Sequence, residues 1–352
     1  MARPRQERVA LAILENVVKA IGYAAKGGVE VLTELELPIP DPGPLDLRVA
    51  VKAVSVNPVD VKRRRWEDPA EGTHPRVLGY DAAGVVEAVG SAVKFFKPGD
   101  EVFYAGAMDR PGTNSEFHLV DERIVGPKPV SLSFAEAAAL PLTSITAWEM
   151  LFDRMKVPYG SLKPCGTLLV LNGAGGVGSM LIQLANRLTG LTVIATASRP
   201  ETVDWVRKLG AKHVADHSKP IDEALQAIGF AGVDYIGAIT TTSGSAPALA
   251  RAMNPQGHIT LIDNFDDSIT PFKPKSITVS WEMMFTRSLF QTADMDAQHR
   301  LLTSVSELVD AGVLRTTLTH VEGSLTVANL RKAHERIETG RATGKTVLEG
   351  FQ

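Results

Sequence analysis

The chain has 352 residues, of which 44% are hydrophobic and 22% are charged, so it is long enough for two domains with their own cores. Its formal net charge of -3 excludes a general attraction to nucleic acid or to an anionic membrane surface. Cys165 is the single cysteine, so the chain can form no internal disulfide and no zinc site that needs two thiolates. We therefore expect a cytoplasmic protein with no nucleic-acid or membrane partner.

Residues 1–17 are expected to be an N-terminal extension. Positive charge followed by the apolar run 9–14 superficially resembles a signal peptide. That run is shorter than the ~7 to 15 apolar residues of such signals, and Glu15 interrupts it. No other stretch approaches the ~20 apolar residues that a membrane-spanning helix needs.

The segment from about residue 18 to residue 119 shows short alternating apolar and polar runs, such as 47–54 and 83–89. Proline- and glycine-rich turns, among them 40–44, separate these runs. This pattern predicts a β-rich domain. The three arginines 63–65 are interpreted as a solvated turn and not as an anion-binding patch.

Helical signals follow. Ser133 and Glu136 match a capping box, which predicts the start of a helix. A second helix is expected from Thr143 or Ser144 to Met155.

After Pro164 the pattern alternates between strand and helix. Six strands are expected there: residues 167–172, 192–197, 213–215, 233–239, 258–262 and 276–280. Strands joined by helices in this way predict an α/β fold with a doubly wound parallel sheet.

The first of these strands leads into a G-x-G-x-x-G motif, formed by Gly173, Gly175, Gly176, Val177 and Gly178 with one intervening alanine. Glycines at these positions let the backbone approach a pyrophosphate, whose charge is met by N–H groups at the start of the next helix. The motif in this strand–helix context predicts a dinucleotide cofactor.

The acid that binds an NAD ribose is expected about 20 residues beyond the motif, but Ser198 and Arg199 stand there. A carboxylate would repel a 2′-phosphate, whereas a hydroxyl donates to it and a guanidinium pairs with it, so the pair favours NADPH. The alternative is that Arg199 merely faces solvent beside Pro200, at the start of the next helix. His213 and His217 are expected near the adenosine pocket or on plain surface, not as metal ligands.

Three segments make the chain resemble the medium-chain dehydrogenase/reductase superfamily over residues 18–352. NPVD at 57–60, LGYDAAGVV at 78–86 and KPGDEV at 97–102 are similar to its GroES-like catalytic domain. NPVD in particular resembles the quinone oxidoreductase branch.

The C-terminal part narrows the resemblance to the bacterial zinc-type alcohol dehydrogenase-like subgroup, through the stretches 280–302, 308–319 and 333–348. The resemblance implies a GroES-like catalytic domain made of residues 18–144 and 292–352, and an NADP-binding Rossmann domain made of residues 145–291. It also implies a homodimer joined through a sheet edge, near residues 276–281.

Zinc enzymes of the superfamily hold their catalytic metal with a cysteine, a His-Glu pair and a later cysteine or acid. Here the matching positions are Asp60, the pair Tyr80 and Asp81, and the segment 140–144. The resemblance therefore implies an enzyme without a metal. Without a Lewis acid, hydride from NADPH would go to an easier electrophile, a quinone or an α,β-unsaturated carbonyl compound. The alternatives are a zinc-dependent alcohol dehydrogenase and a non-catalytic NADPH-binding protein.

For catalysis the resemblance indicates Asn57 and Asp60, in the loop that matches the family's substrate site, and Tyr80, at the place of a metal ligand. Tyr80 either donates a hydrogen bond or a proton to the developing oxyanion or packs beside the site. Asp60 either takes part in the site or holds its loop through backbone N–H groups.

The resemblance also implies cofactor contacts outside the glycine motif, by Thr143, Thr146, Thr240, Asp263, Asn264 and Lys345. The alternative for Thr143 is a helix N-cap, and the alternative for Lys345 is the start of a surface strand.

Overall fold

The computed structural model describes residues 17–69 and 75–351. Residues 1–16 of the expected extension lie outside these ranges, and Val17 begins the first strand. In the part of the chain that is described, no helix has the length and apolar character needed to cross a membrane.

The strands in these ranges are, in chain order, β1 Val17–Tyr23, β2 Thr33–Pro38, β3 Asp46–Val56, β4 Arg76–Val77, β5 Ala82–Val89, β6 Glu101–Tyr104, β7 Phe117–Asp121, β8 Val125–Pro127, β9 Thr167–Leu171, β10 Thr192–Thr196, β11 His213–Ala215, β12 Val233–Ala238, β13 Met253–Leu261, β14 Thr278–Trp281, β15 Leu318–Ser324 and β16 Lys345–Glu349.

The helices are, in chain order, α1 Pro58–Trp66, α2 Phe134–Ala138, α3 Pro141–Trp148, α4 Gly176–Leu188, α5 Pro200–Leu209, α6 Ile221–Ala227, α7 Ala246–Ala252, α8 Thr286–Leu289, α9 Ala297–Asp310 and α10 Val327–Glu338. A π-helix, Glu149–Arg154, continues α3, and 3-10 turns lie at Val29–Val31, Glu122–Ile124 and Thr270–Lys275.

The chain forms two compact units. Apart from the residues outside the described ranges, the first comprises residues up to 141, 285–307 and 318 onward, and the second comprises 142–284 and 308–317. The sequence had predicted that residues 308–317 belong to the GroES-like catalytic domain, which corresponds to the first unit. In the structure this segment belongs to the second unit, because the backbone N–H and carbonyl of Arg315 both bond the side chain of Gln183 on α4.

The first unit is β-rich, as predicted. Its larger sheet has the order β15-β16-β3-β5-β6-β8, with β7 also paired to β3, and a smaller sheet has the order β2-β1-β4. Buried positions recur at every second residue over much of β3, which is the period of a strand with one face on a core. Apolar residues of β1, β3, β5 and β6 form that core.

The second unit contains a six-stranded sheet of order β11-β10-β9-β12-β13-β14 in which every pairing is parallel. All six predicted strands are present; the fifth differs most, since it begins at Met253 instead of His258. The strand order reverses between β9 and β12, and open α/β sheets bind ligands beyond the carboxyl ends of the strands at such a point.

The two predicted helices before this sheet are both observed. The capping box at α2 is confirmed, since Ser133 and Glu136 exchange hydrogen bonds of 2.9 and 3.2 Å. The second helix begins earlier than expected, at Pro141, because proline fits the first turn of a helix, where its missing N–H costs no bond.

The interpretation of residues 63–65 as a solvated turn is wrong. These arginines lie on α1, where Arg63 is 8% exposed and Arg64 is fully buried. Arg64 forms an ion pair with Glu338 of α10. A run of like charges is normally solvated, but partners from distant parts of the chain allow two of these guanidinium groups to be buried.

Candidate functional site

The carboxyl ends of four neighbouring parallel strands lie along one edge of the second unit's sheet, in the order β10, β9, β12, β13. Ser198 and Arg199 follow β10, and the glycine motif follows β9. Thr240 follows β12, and Asp263 and Asn264 follow β13. Parallel pairing therefore brings the predicted cofactor residues of these four loops to one edge.

The glycine motif forms a backbone cradle that excludes side chains. A Cβ at Gly178 would lie 2.4 Å from the carbonyl oxygen of Asn172, and a Cβ at Gly173 would lie 2.8 Å from the Cβ of Ala195. Helix α4 starts directly after Gly175, and the first amides of a helix have no acceptor within it. The loop therefore fits the pyrophosphate of a dinucleotide.

Next to the glycine motif, Ser198 contacts His217, which was expected near the adenosine pocket or on plain surface. Its Oγ lies 3.0 Å from Nε2 of His217, because β11 pairs in parallel with β10 and the loops after both strands meet. Arg199 directly precedes α5, and its guanidinium lies 3.4 Å from Glu201 at a partly exposed position. A hydroxyl, an imidazole and a guanidinium are all groups that bind phosphate.

The two predicted threonines lie on α3 and are buried, Thr143 at 2% exposure and Thr146 at 3%. Thr146 donates its hydroxyl to the carbonyl of Leu142 at 2.8 Å. Since α3 starts at Pro141, Thr143 lies inside the helix, which rules out its alternative role as the N-cap.

In the first unit, Asn57 and Asp60 lie at the start of α1, and Asp60 is 1% exposed. Its two carboxylate oxygens accept backbone N–H bonds, from Asn57 at 2.8 Å and from Gly79 at 2.9 Å. Burial raises the pKa of Asp60 to about 7, while these bonds oppose the rise. Of the two roles left open, the geometry supports the one in which Asp60 holds two loops together.

Lys345 joins the same cluster, which sequence analysis did not anticipate. Its ammonium lies 3.0 Å from Oδ2 of Asp81 and 3.1 Å from the carbonyl of Val56, and it also contacts Oδ1 of Asn57. Asn57 donates its amide to the same Asp81 oxygen at 2.8 Å. Lys345 is 4% exposed and Asp81 is fully buried, so this is a buried, hydrogen-bonded ion pair. The contact of Lys345 with a cofactor stays a prediction.

These side chains, as arranged, do not fit a zinc ion. The Asp81 oxygen already faces an ammonium, and a second cation on it would be repelled by the first. Both oxygens of Asp60 are occupied by amides. Within residues 17–69 and 75–351, no three His, Cys, Asp or Glu side chains are grouped so that they could hold a metal.

Tyr80 lies beside this cluster and is 1% exposed. Its hydroxyl oxygen accepts a bond from Nη1 of Arg63 at 2.5 Å, and its ring packs edge-on against Phe285 with 5.3 Å between ring centres. Burial raises the pKa of Tyr80, and the positive charge of Arg63 acts in the opposite direction. The phenol is therefore protonated at neutral pH and can act as a donor.

Both halves of the chain match known protein families. Residues 43–146 match the alcohol dehydrogenase GroES-like domain, and residues 209–348 match the zinc-binding dehydrogenase family.

Several characterised or named proteins are similar along most of the chain. A zinc-type alcohol dehydrogenase-like protein of Staphylococcus aureus is 42% identical over 312 residues, which is 88% of this chain and 92% of that protein. The 2-methylene-furan-3-one reductase of Solanum lycopersicum is 32% identical over 343 residues, 95% of this chain and 80% of that protein. The chloroplastic NADPH-dependent alkenal/one oxidoreductase of Arabidopsis thaliana is 36% identical over 280 residues, 75% and 70% of the two chains.

Solved structures share the fold. A putative zinc-dependent alcohol dehydrogenase from Rhizobium etli CFN 42 is 51% identical and superposes with a TM-score of 0.90, over 96% of this chain and 99% of that one. The quinone oxidoreductase from Coxiella burnetii is 27% identical with a TM-score of 0.80, over 95% and 99% of the two chains.

Proposed function

The chain belongs to the medium-chain dehydrogenase/reductase superfamily, and we propose that it is a zinc-independent reductase that uses NADPH to reduce quinones or α,β-unsaturated carbonyl compounds. The buried pair of Lys345 and Asp81 carries the proposal. The Lys345 ammonium is bonded to Asp81, which lies at one of the positions that match the metal ligands of the superfamily's zinc enzymes. Zinc would have to displace that ammonium from its carboxylate.

A site without a Lewis acid favours substrates that accept hydride easily. Zinc polarises a simple carbonyl group and lowers the pKa of a bound alcohol, and neither effect is available without it. A conjugated carbonyl compound or a quinone spreads the incoming negative charge onto an oxygen, where one hydrogen-bond donor stabilises it. The similarity to proteins named 2-methylene-furan-3-one reductase, NADPH-dependent alkenal/one oxidoreductase and quinone oxidoreductase supports this class.

The preference for NADPH is supported by the polar groups after β10 and β11. Ser198 and His217 face each other, and Arg199 is the next residue along the chain. A 2′-phosphate there would receive hydrogen bonds from the hydroxyl and the imidazole and a charge-assisted bond from the guanidinium. When bound, NADPH supplies the hydride.

The residues of the first unit supply a proton and a rigid frame. Tyr80 is the proton donor of the proposal, because its phenol is protonated and its oxygen is fixed by Arg63. Asp60 and Lys345 keep the loops around Asn57 in place. The frame limits the movement of the donor during the reaction, which is how an active site gains from preorganisation.

The test is steady-state oxidation of NADPH and of NADH by the purified protein, with 3-buten-2-one and with 1,4-naphthoquinone as acceptors. The proposal predicts turnover with at least one acceptor and a clear preference for NADPH. Tight binding of NADPH with no consumption in the presence of either acceptor would instead indicate a non-catalytic NADPH-binding protein. A preference for NADH would overturn the assignment of the residues after β10.

A further inference from the structure

Arg63 is a buried cation with three specific partners. Its guanidinium donates to the Tyr80 hydroxyl at 2.5 Å, to the carbonyl of Met108 at 2.7 Å and to the carboxylate of Glu67 at 2.8 Å. A guanidinium is planar, so contacts on separate nitrogens fix its orientation as well as its position. Arg63 is thus held in one orientation against Tyr80.

The Tyr80 hydroxyl can still donate one hydrogen bond. A phenol can accept one bond and donate another, and Arg63 uses its accepting side. Among the described residues, no acceptor lies within hydrogen-bond distance of the Tyr80 O–H. A buried donor without an acceptor is unfavourable, and a substrate oxygen would supply the missing acceptor.

We propose that Arg63 is a positioning residue, which orients Tyr80 and stabilises the phenolate formed when Tyr80 protonates the substrate; this inference rests on the proposed reductase function. Hydride added at the conjugated carbon shifts the electron pair of the C=C bond and leaves negative charge on the substrate oxygen. The O–H bond of Tyr80 breaks as a new O–H bond forms on that oxygen. The phenolate faces Arg63 until solvent returns a proton, so the enzyme is restored.

Two other charged residues, besides Arg63, affect the pKa of Tyr80. Asp60 raises the pKa of Tyr80, and Arg76 lowers it. The Glu67 carboxylate lies 3.2 Å from Arg76 and 2.8 Å from Arg63, so it offsets part of the charge of both cations. Of these groups, Arg63 is the one whose N–H is bonded to the phenol oxygen where the negative charge would form.

The experiment is a double-mutant cycle on kcat for the reduction of 3-buten-2-one by NADPH, with Arg63→Met and Tyr80→Phe made singly and together. We expect Tyr80→Phe to lower kcat by about 100-fold, the lower range for a lost proton donor, and Arg63→Met to lower it by about tenfold. In the Tyr80→Phe background, Arg63→Met should cause no further loss, because Arg63 acts through the phenol oxygen. Arg63→Lys should restore part of the rate.

Arg64→Met is the matched control, since Arg64 is buried on the same helix but pairs with Glu338. It should lower the melting temperature without changing kcat. The inference is overturned if the losses from Arg63→Met and Tyr80→Phe multiply, or if Arg64→Met lowers kcat as much as Arg63→Met. If Arg63→Met does not fold, the same cycle with Arg63→Lys decides the question. A wild-type protein that consumes no NADPH contradicts the proposed function itself, which is a different result.

Discussion

Replacement of Lys345 by methionine removes the buried ammonium and keeps most of the side-chain volume. Three oxygen groups then lose the hydrogen bond from this ammonium: the carbonyl of Val56, the amide oxygen of Asn57 and the carboxylate of Asp81. Asp81 is fully buried, so water cannot replace the ammonium without opening the structure. The variant therefore leaves a buried carboxylate without its ammonium, while the amide of Asn57 still donates to it.

The expected cost is large. Removal of one partner from a buried ion pair destabilises a protein by about 3–5 kcal/mol. The double variant Lys345→Met with Asp81→Asn should recover at least half of that loss, because no buried charge remains and the new amide still accepts from Asn57. Urea unfolding of the wild type, both single variants and the double variant at pH 7 gives the coupling energy.

Two results would refute this reasoning. A cost below about 1 kcal/mol for Lys345→Met would be typical of an exposed pair and would mean that the charge is not buried as described. Additive costs in the double variant would show that Lys345 and Asp81 are not partners. Titration of the folded Lys345→Met variant with NADPH tests whether Lys345 contacts the cofactor, as the sequence predicts, or only stabilises the fold through Asp81. A loss of tenfold or more in NADPH affinity would establish the predicted cofactor contact, and an unchanged affinity would limit Lys345 to its structural role.

Three further predictions concern the second unit. Arg199→Ala and His217→Gln should each weaken NADPH binding by about tenfold, with little effect on NADH, since a bond to a charged phosphate contributes about 1.5 kcal/mol or more; calorimetric titration checks both. Burial and then the neighbouring Glu149 raise the pKa of Glu282 above its ordinary value, so the stability contributed by its protonated form is fully present below the ordinary carboxyl pKa and is lost as pH rises through the raised pKa. Glu282→Gln should therefore raise the melting temperature at pH 9 more than at pH 5, whereas an equal effect at both would contradict the shift. If the edge strand β14 joins two copies, as we propose, Trp281→Lys at its exposed end should convert a dimer to a monomer in sedimentation experiments.

Features with a local signal were predictable from the sequence. The glycine motif lies between a strand and a helix that the adjacent residues of the sequence predict. A Cβ at Gly178 would collide with the carbonyl oxygen of Asn172, which explains why glycine is needed there. The six strands of the parallel sheet were found because each is a short apolar run bounded by turn residues. Their ends were less accurate, because a strand ends where its pairing ends and the sequence alone does not show the partner.

The buried cluster of the first unit had no local signal. Lys345 and Asp81 are separated by 264 positions and meet because β16 pairs with β3 next to β5. Arg63 was misinterpreted for the same reason, since its partner Tyr80 lies on another segment and burial of an arginine depends on that partner. The contact between Ser198 and His217 likewise follows from the pairing of two strands, which motif spacing does not reveal.

Zinc independence can be tested by measuring the zinc content of the purified protein together with NADPH-dependent reduction of 3-buten-2-one before and after treatment with a chelator. We predict far less than one zinc per chain and the same rate after the chelator, since Lys345 supplies the cation at this place. Stoichiometric zinc whose removal abolishes turnover would contradict it, because Asp81 would then have to bind a metal in place of the ammonium.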